Sequence, residues 1–369
     1  MEEHLVKINK WLCPVSFLYG MGVSLRNKLF DWGFLQSKSF DIPIICIGNL
    51  AVGGTGKTPH TEYLIQLLKD KHHIAVLSRG YKRRTKGFVL SDAKSSARSI
   101  GDESYQIRQK FPHIVVAVDE KRVRGIEYLQ LLDRPKKVDL ILLDDAFQHR
   151  YIEAGLNIVL TDYHRLFCDD VLLPAGRLRE PEKAKNRAQI VIVTKCPADL
   201  KPIDYNIIAK RLALFPYQKL FFSTFRYGHL MPVFPETGAT ERPLSSLKRS
   251  EQVLLVTGIA SPAVLEEEIR HYSRHVELLS FGDHYNFKNK DIRLIADLFN
   301  RLQGEKLIIT TEKDATRLIA HPAISEELKA HIYALPIEIQ FLQNQEDTFN
   351  KTIIDYVRTD KGNGIVSKR

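Results

Sequence analysis

Lys57 and Thr58 close a glycine-rich run, Gly48-Asn49-Leu50-Ala51-Val52-Gly53-Gly54-Thr55-Gly56-Lys57-Thr58, whose residue types suit the wrapping of a polyphosphate. The amides of Gly53, Gly54, Thr55 and Gly56 can curl around phosphate oxygens because glycine leaves the backbone free to turn. The Lys57 ammonium would reach the β- and γ-phosphates, and the Thr58 hydroxyl would face Mg²⁺. The strict spacing asks for glycine five residues before Gly56, where this chain has Ala51. A second constellation, Asp144-Asp145, ends the apolar run Leu140-Ile141-Leu142-Leu143. A strand ending in carboxylates beside a phosphate loop is the form that holds Mg²⁺ directly or through water. Arg79, in Ser78-Arg79-Gly80-Tyr81, follows another apolar run and has the chemistry to meet phosphate.

Such side chains need a scaffold. The apolar run Ile44–Ile47 precedes the loop, and Pro59-His60 opens an amphipathic segment with Leu64, Leu67 and Leu68 on one face. That order is strand, loop, helix, the context a phosphate-binding loop requires. Proline is tolerated in the first turn because its missing N–H has no partner there. Further strand-like runs lie at Ile74–Leu77, Ile114–Val118, Leu140–Leu143, Ile158–Thr161 and Ile190–Thr194, with helical patterns around Ser104–Lys110 and Val123–Leu132. Continuously apolar strands alternating with helices predict an α/β fold, a parallel sheet covered by helices on both faces. Ligands of such sheets sit at the carboxyl ends of the strands. A turn-rich stretch, Gly228 to Pro243, separates this from a second alternation: strands at Val253–Thr257, Val276–Leu279 and Leu307–Thr310, helices near Pro262–Tyr272, Lys290–Leu302 and Thr348–Val357. The expected organisation is an N-terminal helix over residues 1–40, a nucleotide-binding domain over 41–228, a smaller α/β domain over 229–357 and a loose tail over 358–369.

At 369 residues the chain exceeds one comfortable core, and 44% hydrophobic with 27% charged residues marks it as globular. Cys13, Cys46, Cys168 and Cys196 lack metal-ligand spacing and read as reduced thiols. The net charge of +10 suits an anionic partner: nucleic acid, an anionic membrane or a phosphorylated substrate. No zinc-finger, RRM-like or KH-like pattern is present, which argues against nucleic acid. The N-terminus is of another kind. Trp11, Leu12, Phe17, Leu18, Tyr19, Met21, Leu25, Phe30, Trp32 and Phe34 crowd one segment beside Arg26, Lys28 and Lys38, with Asp31 the sole acid between Trp11 and Phe40. The uncharged run is too short to span a bilayer, but aromatics interleaved with cations suit a helix lying on an anionic membrane surface. Thr194-Lys195-Cys196-Pro197 is loosely similar to a base-reading loop; Pro197 stands where an Asn-Lys-x-Asp motif has its aspartate, which argues against a GTP switch.

Taken together, Gly48–Pro59, Ser78–Tyr81, Gly101–Glu103, Leu143–His149, Pro174–Pro181, Phe281–Phe287 and Thr311–Asp314 resemble, in order, the motifs of the tetraacyldisaccharide 4′-kinases. Ala146, where glycine is commoner, and Ser104, where proline is commoner, are small departures. The resemblance implies a P-loop kinase that uses ATP and Mg²⁺ to phosphorylate the 4′-hydroxyl of a tetraacylated glucosamine disaccharide 1-phosphate, giving lipid IVA. It implies a peripheral enzyme on the cytoplasmic face of a Gram-negative inner membrane, with a lipid substrate and no obligate protein partner. It assigns Asp102 as the base, paired with His284; on residue chemistry alone His284 reads as an ordinary histidine. Asp145 and Glu180 join Thr58 and Asp144 as metal candidates, and Arg122 and Arg179 join Arg79 as phosphate-contacting candidates.

Overall fold

The computed structural model describes residues 8–133, 137–259, 262–282, 285–319 and 321–366, with side chains to residue 359. The chain forms two compact units, Met1–Phe225 with Ile339–Arg369, and Arg226–Glu338.

The first unit is built on a nine-stranded sheet. Its strands are β1 (Ile44–Asn49), β2 (Ile74–Ser78), β3 (Val89–Leu90), β4 (Val115–Val118), β5 (Leu140–Asp144), β6 (Leu156–Asp162), β7 (Ile190–Thr194), β8 (Lys219–Tyr227) and β14 (Ile337–Phe341). The spatial order is β14-β8-β7-β6-β1-β5-β2-β4-β3. The strands from β8 to β4 pair in parallel, and the short β3 runs antiparallel to β4. β1 is therefore central, and its residues are buried on both faces. Ile44 and Cys46 join one core layer while Ile45 and Ile47 join the other, as a period of two requires. Each such side chain contributes about 1.5–3 kcal/mol on burial, so the strand carrying the phosphate loop is among the least deformable parts of the unit.

Helices of this unit are α1 (Cys13–Asp31), α2 (Lys57–Leu68), α3 (Ala97–Ile100), α4 (Asp102–Lys110), α5 (Arg122–Gln130), α6 (Pro202–Leu212) and α11 (Glu346–Val366). α2 buries Leu64, Ile65 and Leu68 against the face that also receives Phe349, Ile353 and Val357 of α11.

The second unit carries the five-stranded sheet β11-β10-β12-β13-β9: β9 (Met231–Pro232), β10 (Gln252–Thr257), β11 (His275–Ser280), β12 (Lys306–Thr311) and β13 (Ile332–Leu335). All pair in parallel except β9 on β13. α8 (Asn289–Arg301) packs Ile292, Ile295 and Phe299 on one face, and α7 (Ala263–Tyr272) packs Leu265 and Ile269 on the other. The short α9 (Glu312–Ile319) and α10 (Glu326–Lys329) follow β12.

Two boundaries differ from those read in the sequence. The smaller unit ends at Glu338 rather than at 357, because β14 and α11 belong to the first unit. The apolar period of residues 346–357 shows that a helix face is buried but cannot say against which sheet. Nor does the chain loosen at 358: α11 continues to Val366, with no helix breaker before Gly362 to stop a helix anchored at Phe349, Ile353 and Val357. β8 and β14 run in opposite directions as neighbours: the Leu342 N–H donates to the Phe222 carbonyl (2.9 Å) and the Gly228 N–H to the Pro336 carbonyl (3.0 Å). The second unit is thus an insertion between two adjacent strands.

Candidate active site

The register of the central strands decides which side chains meet. β1 lies between β5 and β6, with Ile47 opposite Asp144, so the loop leaving β1 and the carboxylates leaving β5 emerge side by side. The loop is held from beneath. Asn49 Nδ2 donates to Thr55 Oγ1 (2.8 Å), Thr194 Oγ1 donates to the Thr55 carbonyl (2.9 Å), and Gln148 Nε2 donates to the Asn49 carbonyl (2.6 Å). Gly56 turns the chain into α2 with φ of 83°. A β-carbon there would be strained in the left-handed region and would stand 3.0 Å from the Phe225 ring. Lys57 and Thr58 then occupy the first turn of α2, where free amides and the helix dipole favour an anion.

Charge is concentrated in front of this loop. Lys57 Nζ lies 3.7 Å from Asp145 Oδ1, and Arg179 Nη1 lies 3.1 and 3.2 Å from the two Asp145 oxygens. Arg122 Nη2 donates to the Asp145 carbonyl (3.5 Å). Asp145 itself sits at φ 47°, a conformation its short polar side chain tolerates and these cations fasten. Asp144 is buried and accepts from Thr61 Oγ1 (3.3 Å). Burial, then the charges of Glu103 and Asp145, push its carboxyl up to about 7, with Lys57 opposing. Glu180 is buried; Oε2 pairs with Arg187 (2.6 Å) and Oε1 has no partner. Burial, then the neighbouring Arg79 charge, lowers the Arg122 pKa, so two arginines approach one another here. Burial and the charges of Arg122, Arg26 and Arg79 hold His149 down at about 4.

The structure thus brings Lys57, Asp145, Arg179 and Arg122 into direct contact and sets Asp144 beside them. Thr58 is half-buried one residue beyond Lys57. Asp102 opens α4, and Ser104 of the same turn hydrogen-bonds Ser78 Oγ (2.6 Å) at the end of β2. Since Glu103 is felt at Asp144, that helix start borders the acidic pair. His284 lies outside the described residues. Asn49, Gln148, Thr61 and Arg187 were not singled out in the sequence. The first two sit inside the quoted motifs; the other two carry no signature, because what they do is brace a neighbour.

His60 offers a check on this architecture. Burial lowers it to about 4, so it is neutral, and the network assigns its proton to Nδ1, which donates to the Gly56 carbonyl (2.7 Å), while Nε2 accepts from Ser223 Oγ (3.0 Å). His60 and His149 are both depressed on folding, so the unfolded chain takes up their protons first. The stability they contribute is complete above about pH 6.5 and is lost as pH falls toward 4. The raised Asp144 carboxyl works in the opposite sense over the same range, so the assignment is read as a difference: between pH 7 and pH 4.5 the unaltered protein should lose more Tm than His60→Asn does. The same change of Tm in both proteins across that window would contradict the His60 assignment.

The family model described as tetraacyldisaccharide-1-P 4′-kinase matches residues 8–358. The chain belongs to that family. The kinase is 66% identical to a tetraacyldisaccharide 4′-kinase of Bacteroides fragilis, over 100% of this chain and 98% of that one. It is 46% identical to one of Porphyromonas gingivalis, over 96% and 99%. Among solved structures, it is similar to LpxK from Aquifex aeolicus in complex with ATP, with a TM-score of 0.72 and 28% identity, covering 95% of this chain and 99% of that one.

Proposed function

We propose that this kinase transfers the γ-phosphoryl group of ATP to the 4′-hydroxyl of a tetraacyldisaccharide 1-phosphate, forming lipid IVA. The observation that carries the reading is the pairing of Lys57, at the mouth of a braced phosphate loop, with the Asp144-Asp145 strand end beside it. The sugar oxygen attacks the γ-phosphorus, the bond to the β-bridging oxygen breaks, the hydroxyl proton passes to Asp102 and ADP departs. Lys57 and the loop amides hold the β- and γ-phosphates, and Arg79, Arg122 and Arg179 add positive charge around the transferred group. The pairing of His284 with Asp102 is what the family resemblance implies.

The residues fit a magnesium ion. Glu180 Oε1 is a buried carboxylate oxygen without a hydrogen-bond partner, and Asp144 is a buried carboxylate at the end of the strand beside the loop. Among the described residues no three metal-binding side chains form a closed cluster, as suits an ion that keeps waters and phosphate oxygens in its shell. Thr58 and Asp144 would hold it, with Asp145 or Glu180 supporting the metal or positioning the transferring group, and when bound it would supply neutralisation of charge on the β- and γ-phosphates.

Transfer of labelled γ-phosphate from ATP to the disaccharide acceptor in detergent micelles tests the reaction. Labelled lipid is expected; ATP hydrolysis without labelled lipid would overturn the acceptor assignment.

The site of action follows from α1. Its inner side is tied to the first unit: Ser16 Oγ donates to the Leu172 carbonyl (3.0 Å), Tyr19 OH to the Arg179 carbonyl (2.9 Å), and Phe30 is buried against Tyr151. Its outer side exposes Val15, Phe17, Leu18, Met21 and Leu25; Trp11 in the turn before it is 93% exposed, and Trp32 and Phe34 follow. No described helix is long and apolar enough to cross a membrane. In our reading this exposed face rests on an anionic bilayer surface, and it supports the peripheral position on the cytoplasmic face of the inner membrane that the family resemblance implies. Serine at Trp11, Phe17, Leu18, Met21 and Leu25 together should weaken sedimentation with anionic vesicles by about 100-fold or more while Tm changes little, since each of those side chains is more than half exposed. Undiminished sedimentation would rule the face out.

A further inference from the structure

The proline-bounded strap 174–181 lies along the outer lip of the phosphate loop, and the backbone fixes its alignment. The Val52 N–H donates to the Arg177 carbonyl (2.8 Å), the Arg179 N–H donates to the Leu50 carbonyl (2.7 Å), and Ala51 bridges Leu178 in antiparallel register. In an extended segment alternate side chains share a face. Leu178 is buried in the core, so Arg177 and Arg179 both project to the other side, and Arg179 is already located there, on Asp145. Arg177 lies beside the crest of the loop: a β-carbon built on Gly53 would stand 4.0 Å from its Nη1. The strap behind it is anchored, since the Arg177 N–H donates to Asp170 Oδ1 (3.1 Å) and Arg165 grips both Asp170 oxygens (2.6 and 2.8 Å).

Three of the neighbouring cations are already engaged, while Arg79, like Arg177, has no hydrogen-bond or ion-pair partner among the described residues. Lys57 and Arg179 face Asp145, and Arg187 faces Glu180. Among the described residues the Arg177 guanidinium has no hydrogen-bond or ion-pair partner. An unneutralised planar cation with its donors over the crest of a phosphate loop is placed for the oxygens of the group being transferred. We propose that Arg177 is an arginine finger supplied in cis, contacting the transferring γ-phosphoryl group and stabilising the charge on its oxygens as the bond to the β-bridging oxygen breaks. Gly53 belongs to the same device: its φ of 119° and missing side chain keep the approach between Arg177 and the phosphate open.

The inference rests on the ATP-dependent transfer proposed above, and its test separates the two. Single-turnover transfer of labelled phosphate to the disaccharide acceptor is measured for the full-length protein, Arg177→Ala and Arg177→Lys, with Tm recorded for each. Failure of the unaltered protein to label lipid counts against the reaction. If it does label lipid, Arg177→Ala should lower the rate by at least about 10³-fold with the KM for ATP changed by less than about threefold. Arg177→Lys should keep only part of the rate, and added guanidinium ion should restore part of the alanine variant's activity at unchanged Tm, which a merely structural role would not allow. A rate within about threefold of the unaltered protein in Arg177→Ala would overturn the assignment, as would a loss expressed only in KM, or an alanine variant of normal Tm that guanidinium does not rescue.

Discussion

Lys57→Ala is expected to abolish phosphoryl transfer, with labelled lipid falling by at least about 10³-fold. The side chain is a compact charge held at the first turn of α2, 3.7 Å from Asp145, at the mouth of a loop braced by Asn49, Thr194 and Gln148. Phosphoryl transfer asks little covalent chemistry of the protein and much alignment and charge neutralisation, so loss of the ammonium proposed to reach the β- and γ-phosphates would act on the barrier itself. Arginine should not replace it: a broad, planar guanidinium does not occupy the space of a point charge at the end of a four-carbon stem. The fold should survive, because β1 and α2 are held by Ile45, Ile47, Leu64 and Ile65, none of which touches the change. Retained transfer in a folded Lys57→Ala protein would remove the loop from the mechanism.

Asp102→Ala is the second large effect. A sugar hydroxyl is a poor nucleophile, and a positioned base contributes about 10²–10⁴-fold. The residue opens α4 immediately before Glu103, whose charge is felt by Asp144, so the start of that helix borders the acidic strand end. We expect kcat to fall within that range while ATP still binds and its KM moves little. The pairing with His284 implied by the family resemblance is tested by His284→Ala and the double variant: if the two act as a unit, the double variant loses little more than either single one. An unchanged kcat in Asp102→Ala would sink the base assignment.

The parts of this site that chemistry demands were legible in the sequence because they are local. Glycines 53, 54 and 56 with Lys57 between an apolar strand and an amphipathic helix specify their own conformation, and Asp144-Asp145 ends a strand no other pattern explains. What was not legible is long-range. That β14 and α11 complete the first unit's sheet and cover depends on which of two similar apolar surfaces they meet, and residues 337–357 carry no mark of that choice. The strap's alignment on Leu50–Val52 is likewise a backbone register between segments far apart in sequence, so Arg177 drew no attention beside Arg179. Arg187 escaped for the same reason, its role being to pair with Glu180 and lie 4.5 Å over the Phe147 ring.

The opposed course of β8 and β14 makes the second unit, in effect, the loop of one very long hairpin. During synthesis the first unit must therefore wait. One layer of its core stays uncovered until Phe341, Phe349, Ile353 and Val357 leave the ribosome, after the whole of the inserted unit has been made. A nascent chain halted at residue 338 would present Leu64, Ile65 and Phe221 to chaperones instead of to α11. The same topology makes the insertion removable: the Gly228 N–H and the Pro336 carbonyl are already hydrogen-bonded at 3.0 Å, so a two-residue turn could join the strands directly and yield a folded nucleotide-binding unit.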